Sequence, residues 1–372
     1  MLEDKSLYKI VLTGGPCAGK TTALTRLEES LVEKGFHVFI VSESATELIK
    51  GGARPFGKNA IDMVAYQRLM LDYQLSKERI YENASFLNGS NKNVIIYDRG
   101  VLDNKAYINQ SIFDKLLSEL GVSEIDLMDN YDMVIHMVTA ADGKSECYTL
   151  ANNAARTESI EQAIELDKKT LNAWMGHQNL KIVDNSTEFD EKINRVLDHV
   201  NSLVGIKDMV KTQRKYLIDL NSSDISCLDS ETSTIIDIEQ IYLASNNPTY
   251  EIRLRKRTIG GHSTYYFQTE KKIGNGKSIV ITDKKISSKE YVRTLSNYKI
   301  DKKITKTRYA FTYDKQNMTL DVFEGGLCIL EVNGNKKINL PSYLNVIEEV
   351  TNDEKYNNIN LARTIKTLSN TL

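Results

Sequence analysis

Apolar positions change their rhythm once along this chain. Through the first two hundred residues, short unbroken apolar runs alternate with stretches in which apolar side chains recur every three or four positions. The runs are Tyr8–Thr13, His37–Ser42, Asn93–Tyr97, Asp132–Val138 and Lys181–Val183. Runs this short, bounded by turn residues, predict buried strands. Between them, Lys20 to Lys34 places Leu24, Leu27 and Leu31 on one helical face. Ile61–Phe86 predicts a long helix or helix pair, Ser159–Met175 a further helix, and Asp190–Leu203 a closing one. Strands alternating with helices predict a parallel sheet covered on both faces.

From about Met209 the helical rhythm gives way to strand after strand: Gln213–Leu220, Ile235–Ala244, Tyr250–Lys256, Thr264–Thr269, Ser278–Thr282, Thr307–Tyr313, Thr319–Phe323 and Leu327–Asn333. Turn signals such as Gly260-Gly261 and Asn333-Gly334-Asn335 separate them. Such a meander predicts an antiparallel barrel or sandwich. A length of 372 residues suits two cores. The expected division is residues 1–205 and 206–372.

Charge sharpens that division. Residues 1–206 carry 22 basic and 30 acidic side chains, and residues 207–372 carry 26 and 20. Two units with different partners are expected. Cys17, Cys147, Cys227 and Cys328 are too scattered for a disulfide framework or a metal knuckle, which favours reduced thiols and a cytoplasmic setting. The charged Met1–Ile10 segment lacks the apolar core of a secretion signal. No apolar stretch reaches the roughly 20 residues needed to span a bilayer, although peripheral attachment to a lipid surface stays open. No feature predicts a specific nucleic acid partner.

The sharpest chemical signal is Gly14-Gly15-Pro16-Cys17-Ala18-Gly19-Lys20-Thr21-Thr22, which fits G-x-x-x-x-G-K-[ST] between a predicted strand and a predicted helix. Glycines let backbone N–H groups close around phosphate oxygens, and the helix start adds free donors. Lys20 is expected on the β- and γ-phosphates of ATP or GTP, and Thr21 on Mg²⁺.

Other candidates share the strand carboxyl ends, where such sheets bind ligands. Asp98 follows the third strand and either supports Mg²⁺ or caps a turn before Arg99-Gly100. Glu43 ends the second strand. It accepts a proton from an attacking hydroxyl, binds a ribose, or starts a helix. Arg156 precedes a helix and reads equally as a lid arginine facing transferring phosphate or as a surface residue. Asn185–Thr187 either borders the base or caps a helix.

The motifs Gly14–Thr22, Ser42-Glu43-Ser44-Ala45, Gly51–Pro55 and Tyr97–Asp103 together resemble one P-loop group. It joins the ATPase-like domain of the ribosylnicotinamide kinases to that of the TRPL-translocation-defect type of GTP-binding protein. The resemblance covers roughly residues 6–200. It implies a kinase-like or GTP-binding α/β P-loop NTPase fold with Lys20, Thr21 and Asp98 in the roles given above.

In the second half, residues 251–308 hold 16 basic and 5 acidic side chains. On a strand, Arg253, Arg255 and Arg257 share one face. Lys271, Lys306 and Arg308 join them if the strands close. That face is either a solvated exterior or a lining that needs an anion, because buried like charges repel. Gln213–Ile218, Arg253–Arg255, Thr269–Lys271, Lys306–Tyr309, Leu320–Phe323 and Leu330–Val332, in this order, resemble the CYTH, or triphosphate tunnel, family. The resemblance implies an α+β antiparallel tunnel in which Lys215, Arg253, Arg255, Lys271, Lys306 and Arg308 bind triphosphate while Asp321 and Glu331 belong to a metal-holding acidic set. Here the family's first Glu-x-Glu-x-Lys motif reads Lys211-Thr212-Gln213-Arg214-Lys215, and Asn333 replaces the acid expected two residues after Glu331. Fewer charged oxygens weaken a divalent site.

The expectation is therefore a two-domain nucleotide-binding P-loop protein with slow NTPase activity. Its second domain would bind a polyphosphate, nucleotide or phosphoinositide. The alternatives are a nucleoside-type kinase and a tunnel triphosphatase.

Overall fold

A computed structural model describes residues 7–143, 159–205, 213–229, 232–245, 247, 249–274, 277–333 and 338–369. The chain divides into two compact units near residue 210.

The first unit is built on five parallel strands in the order β2-β3-β1-β4-β5. They are β1 (Leu7–Thr13), β2 (His37–Val41), β3 (Asn93–Asp98), β4 (Met133–Met137) and β5 (Leu180–Val183). The run β1, β3 and β4 is almost wholly apolar because helices cover both sides of it. On one side lie α1 (Lys20–Glu33) and α7 (Phe189–Leu203). Leu24, Leu27 and Leu31 meet Ile193, Val196 and Val200 there, over Ile10, Leu12, Ile96 and Ile135. Burying each such leucine contributes roughly 1.5–3 kcal/mol. The opposite side carries α3 (Met63–Leu87), which packs on β2 and β3, and an aromatic column of Tyr97, Tyr131 and Trp174 with centroids 5.4 and 5.5 Å apart. The chain also forms α2 (Ser44–Lys50), α4 (Gln110–Leu120), α5 (Glu124–Met128), α6 (Ile160–Ala173) and a 3-10 turn at Val101–Tyr107. α4 and α5 lie in a segment where the apolar rhythm alone predicted nothing. Side-chain caps from Asn109 and Ser123 start them.

The second unit is one nine-stranded antiparallel sheet in the order β10-β9-β8-β7-β11-β12-β13-β6-β14. In chain order its strands are β6 (Gln213–Asp219), β7 (Thr234–Leu243), β8 (Tyr250–Ile259), β9 (His262–Gly274), β10 (Lys277–Ile286), β11 (Ile300–Tyr313), β12 (Gln316–Phe323), β13 (Cys328–Asn333) and β14 (Asn345–Glu349). The architecture fits a tunnel-type α+β domain. Among the described residues the backbone ladder runs from β10 to β14 without joining its ends. One face is apolar. Its Ile241, Leu254 and Phe267 sit under Tyr291 and Leu295 of α8 (Ser288–Asn297), while Tyr216, Phe311, Leu320 and Leu330 pack with Leu228 and Leu344. The other face is largely charged. At one end of it a 3-10 turn (Glu354–Tyr356) and α9 (Asn358–Ser369) lay Tyr356, Ile359 and Leu361 over Tyr242, Ile304 and Ile329.

Among the described residues no helix is long and apolar enough to cross a membrane.

Candidate functional site

The loop between β1 and α1 has the geometry its glycines require. Gly14 has φ 134°, and a Cβ there would lie 2.0 Å from the Met137 carbonyl oxygen of β4. No other residue fits that position without moving the strand. Gly19, at φ 92°, is the N-cap of α1 and offers no side-chain cap, and the first turn holds no acidic residue. The leading N–H groups of a helix have no acceptor within it, so this end of α1 suits an anion. Cys17 is left-handed at φ 54°, a conformation that costs a non-glycine residue roughly 1–2 kcal/mol.

Lys20 folds back over the loop, donating to Gly14 O at 3.0 Å and Gly15 O at 2.9 Å. Burial, followed by the nearby Arg99 guanidinium, pushes its ammonium down to about 8, and Asp98, Glu43 and Asp103 offset only part of that. A phosphate chain would supply the missing counter-charge.

Behind the loop stands Asp167 of α6. Its Oδ1 accepts from Gly15 N at 2.6 Å and Thr139 N at 3.1 Å, and its Oδ2 lies 3.2 Å from His136 Nε2. Burial pushes this carboxyl up, but His136 and the two amides more than offset it and leave it below the usual range. The Gly15 amide is thereby committed to shaping the loop rather than to ligand.

At the carboxyl ends of β2 and β3, Glu43, Asp98, Arg99 and Asp103 gather beside Lys20. Arg99 adopts φ 77°, and its side chain reaches Glu43 Oε1 at 3.3 Å and Asp103 Oδ2 at 3.6 Å. Asp103 in turn accepts from Thr13 Oγ1 and, at 2.6 Å, from Trp174 Nε1. These carboxylates hold the Arg99 guanidinium firmly protonated against the cost of burial. Glu43 is the N-cap of α2 by position, yet its carboxylate makes no cap bond and instead binds Arg99 and the Thr46 hydroxyl. Burial pushes it up, while Arg99 and Thr46 bring it below the ordinary carboxylate range. Asp98 moves the other way, raised chiefly by burial. Its Oδ1 is buried and makes no hydrogen bond. An open hard oxygen here and the Thr21 hydroxyl at the start of α1 fit Mg²⁺, which binds through one or two protein groups plus substrate phosphates. Among the described residues no cluster of three His, Cys, Asp or Glu side chains forms a closed metal cage.

Two other sequence candidates resolve differently. Asn185 donates to Thr139 O at 2.7 Å and Asp142 O at 2.8 Å, pinning the loops after β4 and β5, and the N-cap of α7 is Glu188. Arg156 lies outside the described residues.

The charged face of the second unit follows from strand register. Arg253, Arg255 and Arg257 stand opposite Tyr242, Gln240 and Ile238, and Ile238 stands opposite Lys306. Arg308 pairs with Asp321, and Glu331 with Lys215. Six of the seven predicted basic residues therefore share one face. Lys271 does not. Paired with Tyr250, one position beyond the Glu251–Glu270 pair, it is exposed on the other face.

Four of the six are matched by acids. Asp321, 1% exposed, binds Lys306 Nζ at 2.5 Å and the Arg308 fork at 2.6 and 2.7 Å. Glu331 takes Arg308 Nη2 at 3.0 Å and lies 3.7 Å from Lys215 Nζ. Arg253 reaches Glu270 at 3.0 Å and Gln268 at 2.6 Å. Arg255 lies over the Tyr266 ring at 4.8 Å, and burial pushes it down to about 10. Burial alone would raise Asp321, but Arg308 and Lys306 hold it down at about 2.

Sequence reasoning missed Asp167, Asp103 and Trp174 as site residues. For Asp167 a signal existed: it lies on the buried stripe Ala163–Asp167–Thr170–Leu171 of α6, where a solvated acid does not belong.

A family model described as an AAA domain matches residues 9–192. With the loop geometry above, that makes the first unit an AAA-like P-loop nucleotide-binding domain. No curated protein matches the chain. Among solved structures it is similar to one titled inorganic triphosphatase NE1496, at 21% identity over 42% of this chain and 95% of that one, with a TM-score of 0.31. It is also similar to the PH1819 protein from Pyrococcus horikoshii OT3, at 16% identity over 44% and 88% of the two chains, with a TM-score of 0.27. At such TM-scores these likenesses add nothing to the geometry.

Proposed function

We propose that the first unit binds ATP or GTP with Mg²⁺ and hydrolyses it slowly, and that the second unit binds an anionic phosphate compound such as a polyphosphate, a nucleotide or a phosphoinositide headgroup. Residues 14–22 close on the phosphates, Lys20 reaches the terminal ones, and Thr21 and Asp98 hold the metal, which would draw charge from the transferring phosphoryl group. Glu43 and Arg99 border the reacting end. Arg156 is a candidate lid arginine. One observation carries this reading: an uncapped helix start beside a half-buried lysine that donates to two loop carbonyls. Titration calorimetry with Mg-ATP and Mg-GTP tests it, with Lys20→Ala as the control that must lose binding.

In the second unit the basic face supports binding rather than hydrolysis. Asp321 and Glu331, the acids that a metal would need, are engaged by Lys306, Arg308 and Lys215. Titration with tripolyphosphate, with and without Mg²⁺, tests this. Rapid phosphate release would favour a tunnel triphosphatase instead. Cytoplasmic residence, or attachment to a membrane surface through the second unit, follows from this reading and is tested by sedimentation with phosphoinositide vesicles.

A further inference from the structure

The strand order sets which way a nucleotide lies in the phosphate loop. Asp98 ends β3 on one side of β1, where it stands opposite Leu12, and the Arg99 amide donates to Leu12 O at 3.1 Å. The metal and the terminal phosphates belong to that side. On the other side of β1 come β4 and then β5. A triphosphate whose last phosphates face Asp98 therefore carries its sugar and base toward the loop that follows β5.

An aromatic side chain waits at the end of that loop. Phe189 opens α7, and it is 48% exposed. The buried residues of α7 are Lys192, Ile193, Val196 and Val200, so Phe189 takes no part in seating the helix on the sheet. One edge of its ring lies against the start of α1. A Cβ on Gly19 would stand 2.7 Å from Phe189 Cε2 and 3.1 Å from its Cζ. The rest of the ring is an open apolar surface beside the phosphate loop.

The polar groups of the same loop are mostly spent on one another. Asn185 donates both amide hydrogens to Thr139 O and Asp142 O, and its Oδ1 takes Lys192 Nζ at 2.7 Å. The Asp184 carboxylate is held by Arg195 at 2.9 Å and by the Ser186 hydroxyl at 2.7 Å. Neither side chain is open to read a base edge. Thr187 Oγ1 is different: it is buried without a hydrogen bond. A hydroxyl donates or accepts as required, so it meets the 6-amino group of adenine or the 6-oxo group of guanine equally.

We propose that Phe189 is the stacking platform for the nucleotide base, and that the site prefers purine to pyrimidine triphosphates while separating ATP from GTP only weakly. The proposal rests on the nucleotide reading of the neighbouring loop and deepens it, naming the ligand class that loop takes. Stacking on an aromatic ring tolerates any base because every base has a π-face. The two fused rings of a purine cover more of the phenyl surface than the single ring of a pyrimidine. Strong discrimination between two bases needs fixed donors or acceptors that the wrong base leaves unpaired, and here those groups are already engaged.

Calorimetry on the full chain tests this with Mg-ATP, Mg-GTP, Mg-UTP and Mg-ribose 5′-triphosphate, which has no base. The same titrations into Lys20→Ala subtract whatever the second unit takes up. ATP and GTP should agree within about threefold, with UTP about fivefold weaker or more. Phe189→Ala should weaken ATP and GTP about tenfold or more and leave ribose 5′-triphosphate within about twofold of the wild type. Phe189→Trp should keep the tight binding. Four results overturn the proposal: ATP and GTP differing by more than about tenfold, UTP bound as tightly as ATP, full purine affinity in Phe189→Ala, or an equal loss for ribose 5′-triphosphate in that variant. The last would make the ring a prop for Gly19 rather than a contact for the base. Nucleotide binding that is absent from the wild type, or unchanged in Lys20→Ala, removes the reading of the phosphate loop itself and is told apart from the other four by those two titrations alone.

Discussion

Each unit sets a lysine in its candidate anion site, but the two lysines are compensated in different ways. In the first, Lys20 leans on two carbonyl oxygens and burial depresses it to about 8. In the second, Lys306 and Arg308 are closed onto Asp321, which they hold at about 2. Carbonyl dipoles hold an ammonium without neutralising it, whereas a carboxylate cancels it. A basic residue in a binding motif thus does not by itself define an anion site. In the first unit an anion meets an open cation, whereas in the second it has to compete with resident carboxylates.

The largest effect that would break this comparison is at Asp321. Asp321→Asn takes from Lys306 its carboxylate partner and leaves Arg308 with Glu331, and opening such a pair costs about 3–5 kcal/mol. Thermal unfolding of the second unit should shift down accordingly, and millimolar tripolyphosphate should restore part of the loss. A variant that tripolyphosphate leaves unchanged would argue that no exogenous anion reaches this face.

Next in size, Lys20→Ala should weaken Mg-ATP or Mg-GTP binding about a hundredfold, close to 3 kcal/mol, with unfolding of the second unit unaffected. Calorimetry reads both numbers. Retained affinity would mean that the loop amides alone carry the phosphates.

The pH dependence sharpens the contrast further. Bound phosphate returns the Lys20 ammonium toward its ordinary range, so binding takes up a proton once free Lys20 titrates. Affinity should be steady below about pH 8 and then fall by up to tenfold per unit above it. Burial lowers Lys306 as well, with Asp321 offsetting part of that, so the same titration of tripolyphosphate binding compares the two lysines directly.

The remaining effect concerns Glu78, which lies away from both anion sites. Its carboxyl accepts from Tyr131 at 2.8 and 2.9 Å, and burial drives it up to about 8. Its contribution to stability is whole below the unfolded value near 4.5 and is lost as pH climbs through 8. Glu78→Gln should keep the contact and remove that loss. Its melting temperature should pull ahead of the wild type between about pH 5 and 8 and run parallel above.

How much of this was legible in the chain depended on distance along it. The phosphate loop is local: a strand, a glycine turn and a helix within 27 residues announce it. The groups that hold that loop in shape are not local. Asp167 is 152 positions from Gly15, and Trp174 is 71 from Asp103. Neither separation leaves a motif. Alternation on β8 and β11 correctly grouped Arg253, Arg255 and Arg257 and paired Lys306 with Arg308. The face of Lys271 depends on the β8–β9 register, which no single strand records. α8 and α9 escaped notice because each is short and polar on one side, and tertiary packing rather than propensity holds them.

The bare start of α1 carries one last implication. A nucleotide settling there would complete the helix from outside, as an absent Ser or Asp side chain otherwise would, and mass action then ties folding of the first unit to supply of its ligand. At a hundred times the dissociation constant the gain is about 2.7 kcal/mol. The protein would act as its own indicator, and whichever triphosphate most delays its melting is the one it was shaped to receive.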